Sequence, residues 1–253
     1  MAWMRWIVCL LIVVLVGGCV QEREQIVVPV AGPLADREQQ QKALRANLAQ
    51  TFPKLKESEL NAIDSISRGF FVTNVARHRA YMDYALPIGS EQSTLKMSDI
   101  GFILSEIGIK PTDRILEVGT GTGYFTAILS RLGAQVYSVE IIEYLSEVAQ
   151  QNIKRFQMEN VRIRNADGLA GWSRYAPYDV VIITASVSRV PDEILSQCNA
   201  GARIAVPIRG EDGSCRWIIY VYQSEQLEEI ASRESNVPDA IVVVEKQPEE
   251  EEE

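Results

Sequence analysis

The chain is poor in the residues that most catalytic machinery uses. It has one histidine, His78, and four cysteines in 253 residues. No second histidine or cysteine stands near His78, so a metal centre would need scattered carboxylates, and none is expected. Cys9 and Cys19 fall in the N-terminal segment, which leaves Cys198 and Cys215 as the pair available to a folded body and excludes a disulfide scaffold. Positive charge is also sparse. Lys and Arg number 25 against 34 Asp and Glu, for a net charge of -9, and Glu249 to Glu253 supply five of the negative charges. This is no electrostatic footprint of a nucleic-acid binder. There is no internal repeat.

What is present begins with an address. Met1 to Arg5 carries one positive charge, and Trp6 to Val16 is an apolar run of eleven residues that ends at Gly17-Gly18-Cys19. The run is too short to cross a bilayer comfortably. Two small residues before a cysteine resemble a bacterial lipoprotein signal, in which Cys19 becomes the lipidated first residue; an uncleaved N-terminal anchor is the alternative. Either puts the body at a membrane, and the lipoprotein reading makes it lipid-anchored in the envelope, facing the periplasm, with a cytoplasmic location as the alternative. Residues 20–35 are polar with Pro and Gly and suit a tether. Residues 36–245 make the folded domain, with its core at about 85–210, and 246–253 a self-repelling, disordered acidic tail.

Within the domain, residues 36–52 and 57–66 show helical apolar spacing, broken at Pro53, and form an N-terminal helical cap. Apolar runs then alternate with amphipathic stretches: strands at 114–118, 135–139 and 161–164, helices at 125–132 and 142–156, then strands at 180–184 and 203–207 around a helix beginning near Pro191. Strands so uniformly apolar are covered on both faces. The fold expected is α/β and Rossmann-like, a doubly wound, mostly parallel sheet, with antiparallel edge strands at 216–223 and 240–244.

The first of these strands runs straight into Glu117-Val118-Gly119-Thr120-Gly121-Thr122-Gly123. A Gly-x-Gly-x-Gly turn between strand and helix lets backbone approach a ligand lying over the strand ends. By itself it is shared with dinucleotide-binding domains. Glu117 shifts the balance, because a carboxylate there repels a pyrophosphate and suits the amino group of a methionine moiety. Glu140, twenty-one residues after Gly119, ends the second strand and is placed to accept from both hydroxyls of a ribose. Asn165-Ala166-Asp167-Gly168 follows the third, where Asp167 can accept from an adenine amino group and Gly168 leaves room for the ring. Glu117, Gly119, Thr120, Gly121, Gly123, Glu140, Asp167 and Gly168 are therefore the expected site for S-adenosylmethionine.

Blocks outside that motif resemble the protein-L-isoaspartate O-methyltransferase family. Ala85-Leu86-Pro87-Ile88-Gly89 followed by Gln92-Ser93-Thr94 is similar to the family's segment ahead of the first strand. Asp167-Gly168 with Gly171-Trp172, Ala176-Pro177-Tyr178-Asp179, Thr184-Ala185, Val206-Pro207-Ile208 and the upstream Arg68-Gly69-Phe70-Phe71-Val72 match its other blocks in order. The resemblance implies methyl transfer from S-adenosylmethionine to the carboxylate of L-isoaspartyl residues in damaged proteins or peptides, by a monomer. That acceptor is ionised at neutral pH, so no general base is needed and having a single histidine is no obstacle. Leu95 stands where the family has a serine near the transferred methyl, Glu91 where it has glycine and Met97 where it has proline. Ser93 and Thr94 are the neighbouring hydroxyls left to serve the acceptor. A different acceptor, or a lipid-anchored binding domain without activity, are the other readings of these departures.

Overall fold

The computed structural model describes residues 37–235, Ala134 apart. The expectations for Cys19 and the signal segment, the tether, the strand at 240–244 and the acidic tail lie outside the described residues.

Helix α1 (Arg37–Thr51) buries Leu44 and Leu48, and helix α2 (Glu57–Asp64) buries Leu60, Ala62 and Ile63. Arg45 on α1 donates to both Glu57 and Asp64, joining the two as the expected cap. A two-strand hairpin follows, β1 (Pro87–Gly89) with β2 (Gln92–Ser93). Helix α3 (Met97–Ile107) was not expected. Nine of its eleven residues are buried, Ser98 and Asp99 among them, so no polar stripe alternates with an apolar one to reveal the helical period.

Then come β3 (Arg114–Val118), α4 (Tyr124–Arg131), β4 (Gln135–Glu140), α5 (Glu143–Arg155), β5 (Val161–Asn165), β6 (Tyr178–Ile183), α6 (Asp192–Leu195), β7 (Cys198–Arg209), β8 (Cys215–Gln223) and β9 (Gln226–Ser235). They form one sheet in the order β5-β4-β3-β6-β7-β8-β9. The first five strands are parallel and the last two antiparallel, as expected of a doubly wound sheet with an antiparallel edge. Strand β9 lies ahead of the 240–244 run that was read as a strand. Its sequence, Gln-Leu-Glu-Glu-Ile-Ala-Ser-Arg-Glu-Ser, is rich in charge and poor in the apolar alternation that marks a strand in sequence, and among the described residues it pairs with β8.

Alternation along each strand divides the core between two faces. Ile115, Val136, Val180, Ile182 and Trp217 meet the helical cap, α3 and α4, while Leu116, Val118, Tyr137, Val181 and Ile204 fill the other layer. Arg203 on β7 ties these parts together. It donates to Asp113 Oδ2 at 2.7 Å, to Ile107 O at 3.0 Å and to Gly108 O, so one side chain closes the end of α3 and fixes the turn into β3.

Glu117 sits on the first face with no exposure. Its Oε2 accepts from Thr126 on α4 at 2.5 Å and from Ser138 on β4 at 2.7 Å, while Oε1 has no partner. Burial pushes its carboxyl up from the ordinary 4.5 to about 7.

Two stability predictions follow from these side chains. Arg203→Met leaves Asp113 and two carbonyls short of a donor inside the protein and is expected to cost about 3 kcal/mol in urea unfolding; a cost under about 1 kcal/mol would mean that water takes its place. Between pH 4.5 and 7 the folded chain keeps a proton on Glu117 that the unfolded chain releases, so this residue removes stability as pH rises, on the order of 3 kcal/mol by the alkaline end. Glu117→Gln should therefore stabilise the protein at pH 8 and have little effect at pH 4, and equal effects at both would locate the buried charge elsewhere.

Candidate active site

The carboxyl ends of β3, β4, β5 and β6 open on one edge of the sheet, the position where doubly wound folds bind ligands. Two cavities lie there. The first encloses about 480 Å³ and is walled by Val118, Gly119, Gly121, Val139 to Ile142, Leu145, Asp167 to Leu169 and Ala185, with Ile88 and Gln92 reaching over from the hairpin. The second, about 430 Å³, shares Ile88, Gly119 and Gly121 with it and continues along Ser93, Thr94, Leu95, Ile100, Thr120, Thr122, Tyr124, Phe125 and Thr184.

Gly119 adopts φ +94°, and a Cβ there would stand 2.2 Å from Thr184 Oγ1, the hydroxyl that donates to Val118 O and Gly119 O at 3.0 and 2.9 Å. The wall between the cavities is thus thin because it has no side chain at that point. At Gly168 the obstacle to a Cβ is Val118 Cγ1, 2.5 Å away and itself part of the first cavity's wall.

Glu140 and Asp167 come together as expected. Ala166 N donates to Glu140 O at 3.0 Å and Asn165 Nδ2 to the same carbonyl at 2.8 Å, which docks the turn after β5 against the end of β4. The Glu140 carboxylate accepts from Gly121 N at 2.7 Å and Ile142 N at 3.0 Å. Burial raises its pKa while these N–H donors oppose the rise. Asp167 is exposed and accepts from Leu169 N at 2.9 Å.

Two of the expected site residues do not line either cavity. Glu117 points to the opposite side of β3 from Leu116 and Val118, into the layer below, because strand alternation sends residue 117 toward α4. Direct contact with a methionine amino group is therefore not what its position offers; it lies beneath the glycine turn, outside both cavities. Gly123, φ +91°, begins α4 and faces Ala149 on α5, where a Cβ would sit at 3.4 Å. Thr120 lines the second cavity with its hydroxyl already bonded to Ser138 at 2.5 Å.

Ser93 and Thr94 both line the second cavity, beside Leu95. Thr94 and Leu95 are held by a residue whose role the sequence does not reveal. Arg68 is fully buried and donates to the carbonyls of Ala80, Met82, Tyr84 and Leu95 at 3.3, 3.1, 2.8 and 2.6 Å, and to Thr94 Oγ1 at 2.6 Å. Its guanidinium lies over the Tyr124 ring at 5.7 Å, and no carboxylate among the described residues forms an ion pair with it. Burial lowers its pKa. The one signal in the sequence was its place at the head of Arg68-Gly69-Phe70-Phe71-Val72. The turn it supports is strained: Ser90 and Glu91 lie at φ 50° and 58°, a left-handed region that glycine occupies without cost, which explains physically why a glycine suits position 91. His78 is exposed on the turn Asn74–Arg79 and lines neither cavity.

A largely apolar trough, a backbone bared at Gly119 and Gly121, and two carboxylates at one end fit a cationic nucleoside such as S-adenosylmethionine: apolar wall for a base, acceptors for hydroxyls and amines, negative potential for a sulfonium.

Comparison with known proteins agrees. Residues 39–237 match the family model "Protein-L-isoaspartate(D-aspartate) O-methyltransferase (PCMT)". The protein-L-isoaspartate O-methyltransferase of Hahella chejuensis is 40% identical over 176 residues, 68% of this chain and 82% of that protein. Its counterpart in Photobacterium profundum is 38% identical over 156 residues, 62% of this chain and 74% of that protein. A solved structure of a protein-L-isoaspartate O-methyltransferase superposes with a TM-score of 0.69 at 26% identity, over 77% of this chain and 64% of that one. A putative enzyme of the same name from Plasmodium falciparum, in complex with S-adenosyl-L-homocysteine, shares the fold with a TM-score of 0.63 at 18% identity, over 75% of this chain and 92% of that one. With its doubly wound sheet, its glycine-lined trough and a family match over most of its length, the chain belongs to the protein-L-isoaspartate(D-aspartate) O-methyltransferase family of S-adenosylmethionine-dependent enzymes.

Proposed function

We propose that this enzyme methylates isoaspartyl carboxylates of damaged proteins in two joined cavities, as a monomer held at a membrane by lipid on Cys19. Methyl transfer from S-adenosylmethionine to protein isoaspartyl groups follows from the family; the division of labour among residues, the anchor and the monomeric state are our reading. The single observation that carries it is the continuity of the first cavity, with its two carboxylate residues, into the second, which Ser93, Thr94 and Thr184 help to line.

On this reading Glu140 accepts from the ribose hydroxyls, Asp167 from the adenine amino group, and the backbone at Gly119 and Gly121 supports the methionine part. Bound there, S-adenosylmethionine supplies an electrophilic methyl group on a sulfonium. The acceptor carboxylate is already an anion, so its oxygen takes the methyl without loss of a proton, and the chain needs no base. What the protein contributes is alignment and exclusion of water while opposite charges cancel. Ile88, Leu95, Ile100 and Phe125 give the second cavity the apolar lining for that, and Thr94, fixed by Arg68, supplies a placed hydroxyl.

The apolar run Trp6 to Val16 before Gly17-Gly18-Cys19 supports the anchor. Among the described residues no helix is long and apolar enough to cross a membrane. Labelling cells with a lipid precursor, together with protease access from outside, tests both anchor and side. An unlabelled protein would remove Cys19 from the proposal.

The acceptor is tested by methyl transfer to an isoaspartyl peptide beside its aspartyl twin. Turnover of the first alone is expected; inactivity on both, with S-adenosylhomocysteine bound in calorimetry, would favour another acceptor, the reading that Leu95 supports because it puts a side chain without a donor in the second cavity. Leu95→Ser is then expected to raise isoaspartyl turnover severalfold. Glu140→Ala should weaken S-adenosylhomocysteine binding by about 1–3 kcal/mol, since it removes a charged acceptor and frees the Gly121 loop. Unchanged affinity would place the ribose elsewhere.

A further inference from the structure

A cavity of about 370 Å³ lies between the start of α1 and the segment 67–81, and it shares no lining residue with the two cavities at the sheet edge. Its wall brings together Arg37, the first residue of α1, Arg77 on the turn Asn74–Arg79, and Ser67, Phe70, Ala80 and Tyr81. Two cations and two hydroxyl residues meet there, and no carboxylate among the described residues lines it. In a chain of net charge -9 that composition departs from the average surface. Arg37 and Arg77 are both exposed, and among the described residues neither has an ion pair, a side-chain hydrogen bond or an aromatic ring beneath its guanidinium. Glu38, next to Arg37, pairs instead with Lys42 at 2.8 Å, and Asp64 pairs with Arg45. The hydroxyls of Ser67 and Tyr81 stand 3.3 Å apart; whichever donates to the other, the second keeps a proton to offer. The Arg155 guanidinium lies 6.0 Å over the ring of Phe70, which adds a third positive charge next to this wall.

We propose that this cavity binds a phosphate group, held by the guanidinium groups of Arg37 and Arg77 and by the hydroxyl pair of Ser67 and Tyr81. Two unpaired guanidinium groups match the charge of a phosphate monoester, roughly -1.5 to -2 at neutral pH, and their planar forks suit its oxygens. The hydroxyls supply neutral donors to the oxygens that remain. A carboxylate, with two oxygens and one charge, would leave part of this donor set idle. Two carriers present the group: the headgroup of an anionic phospholipid and a free phosphorylated solute. Phe70 and Val75, 51% and 76% exposed, give apolar ground on the same segment for the organic part of either. The site is independent of the methyl-transfer reading, since its residues line neither the cofactor nor the acceptor cavity. It borders the cradle of Arg68 through Ala80, whose carbonyl accepts from that guanidinium at 3.3 Å.

The test measures binding to the full-length protein in two arms. Calorimetry uses glycerol 1-phosphate beside sodium acetate at matched ionic strength. Co-sedimentation uses phosphatidylcholine vesicles with and without phosphatidylglycerol; the pure phosphatidylcholine vesicles carry whatever the N-terminal apolar run contributes, so the difference between them reports on charge. Glycerol 1-phosphate is expected to bind and acetate not. Arg37→Gln combined with Arg77→Gln should weaken that binding at least about tenfold. Arg79→Gln, the same change of charge at a residue outside the cavity, should shift it by less than about twofold. Affinity for S-adenosylhomocysteine should stay within about twofold in every variant, which shows that each one folds. A preference for phosphatidylglycerol vesicles that disappears in the double variant and survives in Arg79→Gln identifies the lipid headgroup as the carrier. Binding of glycerol 1-phosphate without a preference between vesicles identifies a free solute. The assignment is overturned by an absence of binding in both arms, by acetate binding as tightly as glycerol 1-phosphate, by a double variant that binds like the unmodified protein, or by Arg79→Gln losing as much as the double variant.

Discussion

The Arg68 guanidinium is sealed from water; its two terminal nitrogens donate to four carbonyls and the Thr94 hydroxyl, its Nε has no partner, and no carboxylate among the described residues pairs with it. A buried cation with no counter-ion is costly, and it persists because carbonyl dipoles from two stretches of chain, 80–84 and 94–95, converge on it. Neither stretch belongs to the seven-stranded sheet. The hairpin β1–β2 is only two strands, which is marginal in isolation, and its turn holds Ser90 and Glu91 in the left-handed region. Arg68 fixes Thr94 and Leu95 in this irregular segment, and Ile88 packs with Val72, Ala76, Leu86 and Leu145, so that together they wall the sheet edge.

Beneath that wall the site is organised by charge. Glu140 and Asp167 stand at the ends of adjacent strands, with Glu140 spending its oxygens on backbone N–H groups that fix the glycine turn. Glu117 lies one layer lower, fully buried and pushed to about 7, so near neutral pH it is poised between forms. A cation arriving above it favours its ionised form, by the same Coulomb attraction that makes the acidic end receptive. Chemistry that unites a sulfonium with a carboxylate needs little beyond such an acidic rim, alignment and dryness, which is why a chain with one exposed histidine can carry it.

Much of this was legible in the residues. Strands β3 and β4 fall within a residue or so of their apolar runs, because a parallel strand buried on both faces leaves a continuous signature, and the edge strand β5 and the antiparallel β8 fall as close to theirs. The glycine turn, Glu140 and Asp167 could be placed at one rim since each directly follows a strand. Helix α3 escaped because almost every residue on it is buried, and β9 because a charged edge strand looks like a loop. For Glu117 the sequence was read one step too far: it fixed the residue to the end of a strand, but which face a side chain takes depends on the sheet's register.

The sequence by itself determined the parallel core, the cofactor turn and the family, since these rest on local patterns: apolar period, glycine spacing and short conserved-type blocks carried by neighbouring residues. Only the tertiary structure decided that Arg68 reaches Thr94 from twenty-six positions away, that Glu117 lies below the site rather than in it, and that Arg37 and Arg77 border one cavity. Those facts depend on the packing of segments far apart in the chain, and burial, which sets the strength of each charge, is a property of that packing and not of any one stretch of residues.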